Sequence, residues 1–175
     1  MNYVLYTTDA NYWMHLYVSL YSLLVNNKKR DFMIYILTDE RNDEFDKNLN
    51  ILYKIGNLIA CQVIVIDLHD INWPTYHHVS KAAHFRLFIT DHLPEEVKKI
   101  LYLDCDTIID GPIGELLDLD LSAHVIAAAP DDNWPKHSKR LNLPQGVKYF
   151  NSGVLLINMN SWVLENVEYR YMEYQ

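Results

Sequence analysis

Apolar runs bordered by polar or turn residues alternate with stretches of helical spacing along most of the chain. Tyr3-Val4-Leu5-Tyr6-Thr7-Thr8 is rich in β-formers, and the segment from Tyr12 to Val25 spaces its apolar residues as a helix does, until Asn26-Asn27 breaks it. The pair then repeats. Phe32 to Leu37 reads as a strand, and the amphipathic stretch from Asp43 to Ile55 as a helix stopped at Gly56. A third run, Cys61 to Ile66, leads through Asp67 to Pro74, after which Ser80 is placed to cap a helix from Lys81 to about Ile89. Beyond Pro94 the runs Ile100-Leu103, Val125-Ala129 and Val154-Ile157 predict three more strands, and a helix opens near Ser161.

Strands that are β-branched and apolar on both faces belong in the middle of a sheet covered by helices on each side. The alternation therefore predicts an α/β fold with a mainly parallel sheet. No repeat period and no Gly/Ser-rich linker divides residues 1–175, which are read as a single domain. In such sheets ligands bind beyond the carboxyl ends of the strands, so Thr7-Thr8-Asp9, Asp104-Cys105-Asp106 and Asp131-Asp132 fall where a site would form.

Composition narrows the chemistry. Half of the 175 residues are apolar, with 13 tyrosines against 5 glycines and 6 prolines, as in an ordered globular chain. A net charge of −8 argues against nucleic acid as a partner, since tracking phosphates needs a basic stripe. An anionic ligand would need a metal ion, a few placed cations or a helix start. Cys61 and Cys105 sit in apolar runs and are too few for a disulfide framework, which suits a reducing compartment. The apolar stretch from Met14 to Val25 is too short to span a bilayer and lacks a basic leader, so no transmembrane segment and a cytoplasmic location are expected.

The acidic pair after the fourth strand carries the sharpest chemistry. In an extended segment residues i and i+2 point the same way, so Asp104 and Asp106 would present two carboxylates to one point with Cys105 turned away. Two like charges held so close favour a hard divalent cation, Mn²⁺ or Mg²⁺, between them. The plainer reading has Asp104 capping a turn and Asp106 solvated. Neither a G-x-G-x-x-G fingerprint nor a P-loop occurs, which removes dinucleotide oxidoreductases and P-loop enzymes. His77 and His78 are adjacent and would point apart, so they are not read as ligands.

Phe85-Arg86-Leu87-Phe88, Leu93-Pro94 and Lys99-Ile100-Leu101-Tyr102-Leu103-Asp104-Cys105-Asp106 together resemble the family-8 retaining glycosyltransferases, the group of glycogenin and the lipopolysaccharide galactosyl- and glucosyltransferases. Tyr149-Phe150-Asn151-Ser152-Gly153 through Asn158, then Trp162, and the opening Asp9-Ala10-Asn11-Tyr12 continue the match in order. The resemblance implies a GT-A fold, Rossmann-like in its nucleotide-binding half, and a UDP-sugar donor. It also implies a Mn²⁺ or Mg²⁺ cofactor and transfer of a hexose to the hydroxyl of a saccharide, lipopolysaccharide or protein acceptor with retained configuration. Carried over by position, Asp104, Cys105 and Asp106 would contact the nucleotide-sugar, with Asp104 and Asp106 holding the metal, and Thr7, Thr8, Asp9, Asn11 and Tyr12 would line the uridine pocket. Lys81, Arg86 and Ser152 would lie near the phosphates or sugar, and Asp131 and Asn151 would be the catalytic residues. Oligomers are compatible with this reading.

Members of that family normally run on, with an Asp-Gln-Asp-like segment and a late His-x-x-Gly…Lys-Pro-Trp segment that supply a third metal ligand and a phosphate-binding lysine. Neither segment occurs here, so a domain lacking its C-terminal part is expected. Two other functions compete. One is a non-catalytic UDP-sugar or metal-binding remnant of the same fold. The other is a haloacid-dehalogenase-type phosphatase, which also places aspartates at strand ends but normally opens with its nucleophile strand.

Overall fold

The computed structural model describes residues 1–67, 81–87 and 89–173. Six strands form one sheet: β1 (Asn2–Thr8), β2 (Phe32–Thr38), β3 (Leu58–Val65), β4 (Lys99–Asp104), β5 (Ile126–Pro130) and β6 (Phe150–Asn158). Their spatial order is β3-β2-β1-β4-β6-β5. β1 pairs in parallel with β2 and β4, and β2 with β3, whereas β6 runs antiparallel to both β4 and β5. The sheet is thus mixed and mainly parallel, as the apolar runs predict.

Burial on both faces follows from the side-chain alternation of a strand. Val4 and Tyr6 of β1 and Leu101 and Leu103 of β4 join Leu16, Leu20 and Leu23 of α1 (Trp13–Asn26) and Phe45 and Leu49 of α2 (Asp43–Leu52) in one core. Leu5, Ile100 and Tyr102 face the other way, into a core with Phe85, Ile89, Leu155, Ile157 and Trp162. Helix α1 carries no charged residue at all. Its far end is held by Asn57, whose buried side-chain amide donates to the carbonyls of Leu24 at 3.0 Å and Asn27 at 3.1 Å, satisfying groups that a helix terminus leaves open.

Several boundaries differ from the sequence reading. β3 begins three residues early, at Leu58, and β6 begins four residues early, at Phe150, because antiparallel pairing with β5 continues to Pro130↔Phe150. The helix expected from Lys81 to Ile89 is a 3-10 helix over Lys81–Leu87 followed by the short α3 (Ile89–His92). Two elements had no strong apolar signal: α4 (Gly114–Leu117) and α5 (Trp134–Arg140). The final helix is two, α6 (Met159–Leu164) and α7 (Val167–Glu173), divided where Asn166 takes φ 48°. Gly56, with φ 93°, ends the turn after α2 as expected. Ser80, His77 and His78 lie outside the described residues. No described helix is long and apolar enough to cross a membrane.

Helix α7 is tied back through Glu168, which accepts from the Thr90 amide at 3.1 Å and its hydroxyl at 2.5 Å, and through Tyr171, 3.1 Å from Nδ1 of His84. Burial, and then the Arg86 charge, hold the His84 imidazole below its ordinary value. The unfolded chain therefore takes up a proton near pH 6.5 that the folded chain resists, so this share of stability is complete above that pH and is lost as pH falls below it. The thermal midpoint should fall as pH is lowered through about 6.5, and His84→Gln should flatten that slope in a calorimetric scan.

Candidate functional site at the carboxyl edge of the sheet

The chain runs outward from β1 through β2 to β3 and then crosses to the other side of β1 to form β4. The carboxyl ends of β1 and β4 therefore border the switch point, where an open α/β sheet leaves a crevice. Thr7 pairs in register with Asp104 across it. Because β6 is antiparallel, its first residues lie at the same edge, and Leu103↔Val154 pairing sets Gly153 beside Asp104. β5 ends at this edge too, and the Asp131 amide donates to the Tyr149 carbonyl at 3.0 Å.

Asp104 is the hub. Tyr102, two residues earlier and so on the same strand face, donates its hydroxyl to Asp104 Oδ1 at 2.5 Å. That hydroxyl also lies 3.1 Å from Thr7 Oγ1, which must then be the donor of the second bond. Arg86 Nη2 is 3.2 Å from the same Oδ1, Arg86 Nη1 donates to the Ser152 carbonyl at 2.6 Å, and the guanidinium carbon lies 4.3 Å from the Tyr102 ring centroid. Burial first, with the Asp104 charge, pushes the Tyr102 phenol well above its ordinary value against the pull of Arg86, so it stays a donor.

Asp104 Oδ2 takes no hydrogen bond among the described residues. It faces Gly153 so closely that a Cβ there would sit 2.9 Å away. The Gly153 amide itself donates to Asn151 Oδ1 at 2.8 Å. Asp106 is exposed and makes no hydrogen bond or ion pair among the described residues.

The acidic pair is not extended as the i, i+2 argument assumed. β4 ends at Asp104, and the Thr107 amide closes a turn onto the Asp104 carbonyl at 3.1 Å, so Cys105 and Asp106 are turn residues. Cys105 packs on the α1 side of the core. Its free thiol is pushed up to about 11 by burial and then by the two neighbouring carboxylates, with a Thr8 hydrogen bond opposing them.

The other sequence candidates divide. Thr7 and Thr8 are buried with their hydroxyls engaged inside the protein, Thr8 donating to the Asp9 carbonyl at 3.1 Å. Asp9 caps the 3-10 turn Ala10–Tyr12 that opens α1, its Oδ1 accepting from the Asn11 amide at 3.0 Å. Asn11 and Tyr12 are exposed, and the Tyr12 ring lies 5.0 Å from that of His15. Asp39, missed in the sequence, joins this corner by accepting from the Ala10 amide at 3.2 Å. Its position just past β2 was the available signal. Asp131 stands apart from the Asp104 network. It accepts from the Asn133 amide at 2.8 Å and lies 3.7 Å from His137 Nε2. Lys81 opens the 3-10 helix that carries Arg86.

The sequence profile of Glycosyl transferase family 8 matches residues 3–175. The chain belongs to that family. The lipopolysaccharide 1,2-glucosyltransferase of Escherichia coli K12 is 34% identical over 169 residues, 91% of this chain and 48% of that protein. The lipopolysaccharide 1,3-galactosyltransferase of Salmonella typhimurium is 31% identical over 178 residues, 97% of this chain and 52% of that protein. Among solved structures, the galactosyltransferase LgtC in complex with donor and acceptor sugar analogs superposes with a TM-score of 0.76 at 24% identity, over 93% of this chain and 59% of that one. That likeness shows the GT-A type of fold. This family-8 chain spans about half the length of the curated relatives it matches, and membership displaces the phosphatase alternative.

Proposed function

We propose that the crevice between β1 and β4 is the donor site of a metal-dependent retaining glycosyltransferase, which moves a hexose from a UDP-sugar to an acceptor hydroxyl. The observation that carries this reading is the disposition of Asp104: one oxygen is tied inward to Tyr102 and Arg86, and the other faces the open edge over Gly153.

The donor set fits a hard divalent cation. Asp104 Oδ2 and the Asp106 carboxylate are anionic oxygens free of protein partners among the described residues, and such ions favour oxygen ligands and keep water or substrate phosphate in their remaining positions. No described cluster of three His, Cys, Asp or Glu side chains completes a cage. Donor phosphates would fill that role in this reading. A bound Mn²⁺ or Mg²⁺ supplies charge stabilisation for the UDP leaving group.

The chain's own residues do the positioning. Asp9, Asn11 and Tyr12 border the nucleotide end at the start of α1, while Thr7 and Thr8 support it from within the core. Arg86 places a cation between β4 and β6, beside developing phosphate charge. In the transfer the C1–oxygen bond to phosphate breaks, its electrons leave with UDP, and a bond forms from C1 to the acceptor oxygen, whose hydroxyl proton passes to the departing phosphate oxygen or to water. Asn151 and Asp131, at the ends of β6 and β5 facing this edge, are assigned to the donor sugar.

The two-carboxylate donor set also favours a second reading, a binding remnant without turnover. Calorimetric titration of UDP with and without Mn²⁺, followed by a UDP-hexose hydrolysis assay, separates the two. Metal-dependent binding with hydrolysis supports the enzyme, and binding without hydrolysis supports the remnant. Absence of any metal-dependent binding would remove both.

A further inference from the structure

We infer that Tyr102 is a positioning residue for the metal site: its hydroxyl fixes the rotation of the Asp104 carboxylate so that Oδ2, over Gly153, is the oxygen offered to the cation. This rests on the donor-site reading above and adds a residue that neither the acidic pair nor the loop positions indicate.

Three observations converge on it. Tyr102 is 1% exposed and locked between the two strands that border the crevice, with Thr7 of β1 on one side of its hydroxyl at 3.1 Å and Asp104 of β4 on the other at 2.5 Å. The bond goes to Oδ1 alone. Arg86 approaches that same oxygen at 3.2 Å, so Oδ1 is doubly committed and Oδ2 is left free among the described residues. Finally, the absence of a side chain at Gly153 makes the space that Oδ2 faces.

A carboxylate at a strand end can swing about its last torsion, which is broad. Without the phenol, Oδ1 loses the bond that holds it inward, and Arg86, whose Nη1 stays on the Ser152 carbonyl, can meet either carboxylate oxygen through Nη2. A rotated carboxylate would turn Oδ2 toward Arg86 and away from the open edge. Tyr102 thus keeps Arg86 on one oxygen and leaves the second for the ion. It resembles the outer partners that orient metal-binding carboxylates elsewhere.

Tyr102→Phe tests this while keeping the ring that packs in the core and stacks under Arg86. In titrations of UDP with Mn²⁺, the variant should bind roughly 10-fold more weakly than the native protein. UDP binding in EDTA should not change. Ca²⁺ tolerates irregular ligand geometry whereas Mg²⁺ demands a near-ideal octahedron, so the loss should be clearly larger with Mg²⁺ than with Ca²⁺. A merely structural hydroxyl would lower the thermal midpoint without producing that difference between metals. Equal binding by variant and native protein, or equal losses for both ions, would overturn the positioning role and leave the donor site standing. A native protein with no metal-dependent UDP binding would overturn both, because no metal then needs positioning.

Discussion

Replacing Asp104 and Asp106 together with alanine should abolish Mn²⁺-dependent UDP binding, with the affinity measured by calorimetry falling roughly 100-fold or more. The two carboxylates supply the only protein charge proposed to touch the cation, and the surrounding residues cannot take their place. Cys105 packs against the core, and burial pushes its thiol up to about 11. Arg86 would make matters worse. With Asp104 gone it faces the crevice without that partner, so metal-free UDP should bind as well as before or slightly better through its phosphates. The double variant is therefore expected to lose metal dependence rather than all affinity, a sharper outcome than simple loss. Folding should survive, since Asp106 is exposed and the Asp104 bonds lie at a strand end. A lowered thermal midpoint with unchanged metal dependence would mean that the acidic pair is structural.

How far this site was legible in the sequence depends on the kind of signal. The central strands were readable because Val4 to Thr8 and Ile34 to Thr38 are buried on both faces, which leaves uninterrupted apolar runs. The antiparallel course of β6 was not, because periodicity carries no direction. Yet that course is what brings Asn151, Ser152 and Gly153 to the edge where β1 and β4 end. The acidic pair was found, but by an extended geometry that the turn at Cys105-Asp106 replaces. Tyr102 was passed over as a core residue, and it is one. The signal for its second role was the Tyr-x-Asp spacing at the strand end, which puts phenol and carboxylate on one face. Thr7 and Thr8 were placed in the pocket by the resemblance as well as by their position at the end of β1, and in the structure both are buried with their hydroxyls engaged inside the protein.

Gly153→Ala tests the same geometry from the opposite side and should weaken Mn²⁺-dependent UDP binding by roughly 10- to 100-fold without replacing a single ligand. The added methyl would lie 2.9 Å from Asp104 Oδ2, closer than carbon and oxygen tolerate, and 3.2 Å from Asn151 Oδ1, a tight contact that a small shift relieves. Something must shift, and the neighbours differ in what they can give up. Asn151 Oδ1 holds the Gly153 amide at 2.8 Å and can rotate outward, since that side chain is exposed. Asp104 is pinned through Oδ1 by Tyr102 and Arg86, so moving Oδ2 strains two charge-assisted bonds at once. Overpacking of this size costs about 1–3 kcal/mol. That strain falls on the oxygen proposed to face the cation. The glycine has no positive φ to protect, so backbone conformation does not confound the result. The measurement is a pair of titrations, UDP with Mn²⁺ and UDP in EDTA, beside a thermal scan. Loss confined to the first, with a midpoint lowered by no more than a few degrees, would place the cation over Gly153. Unchanged binding would mean that Asp104 Oδ2 is not the oxygen it uses.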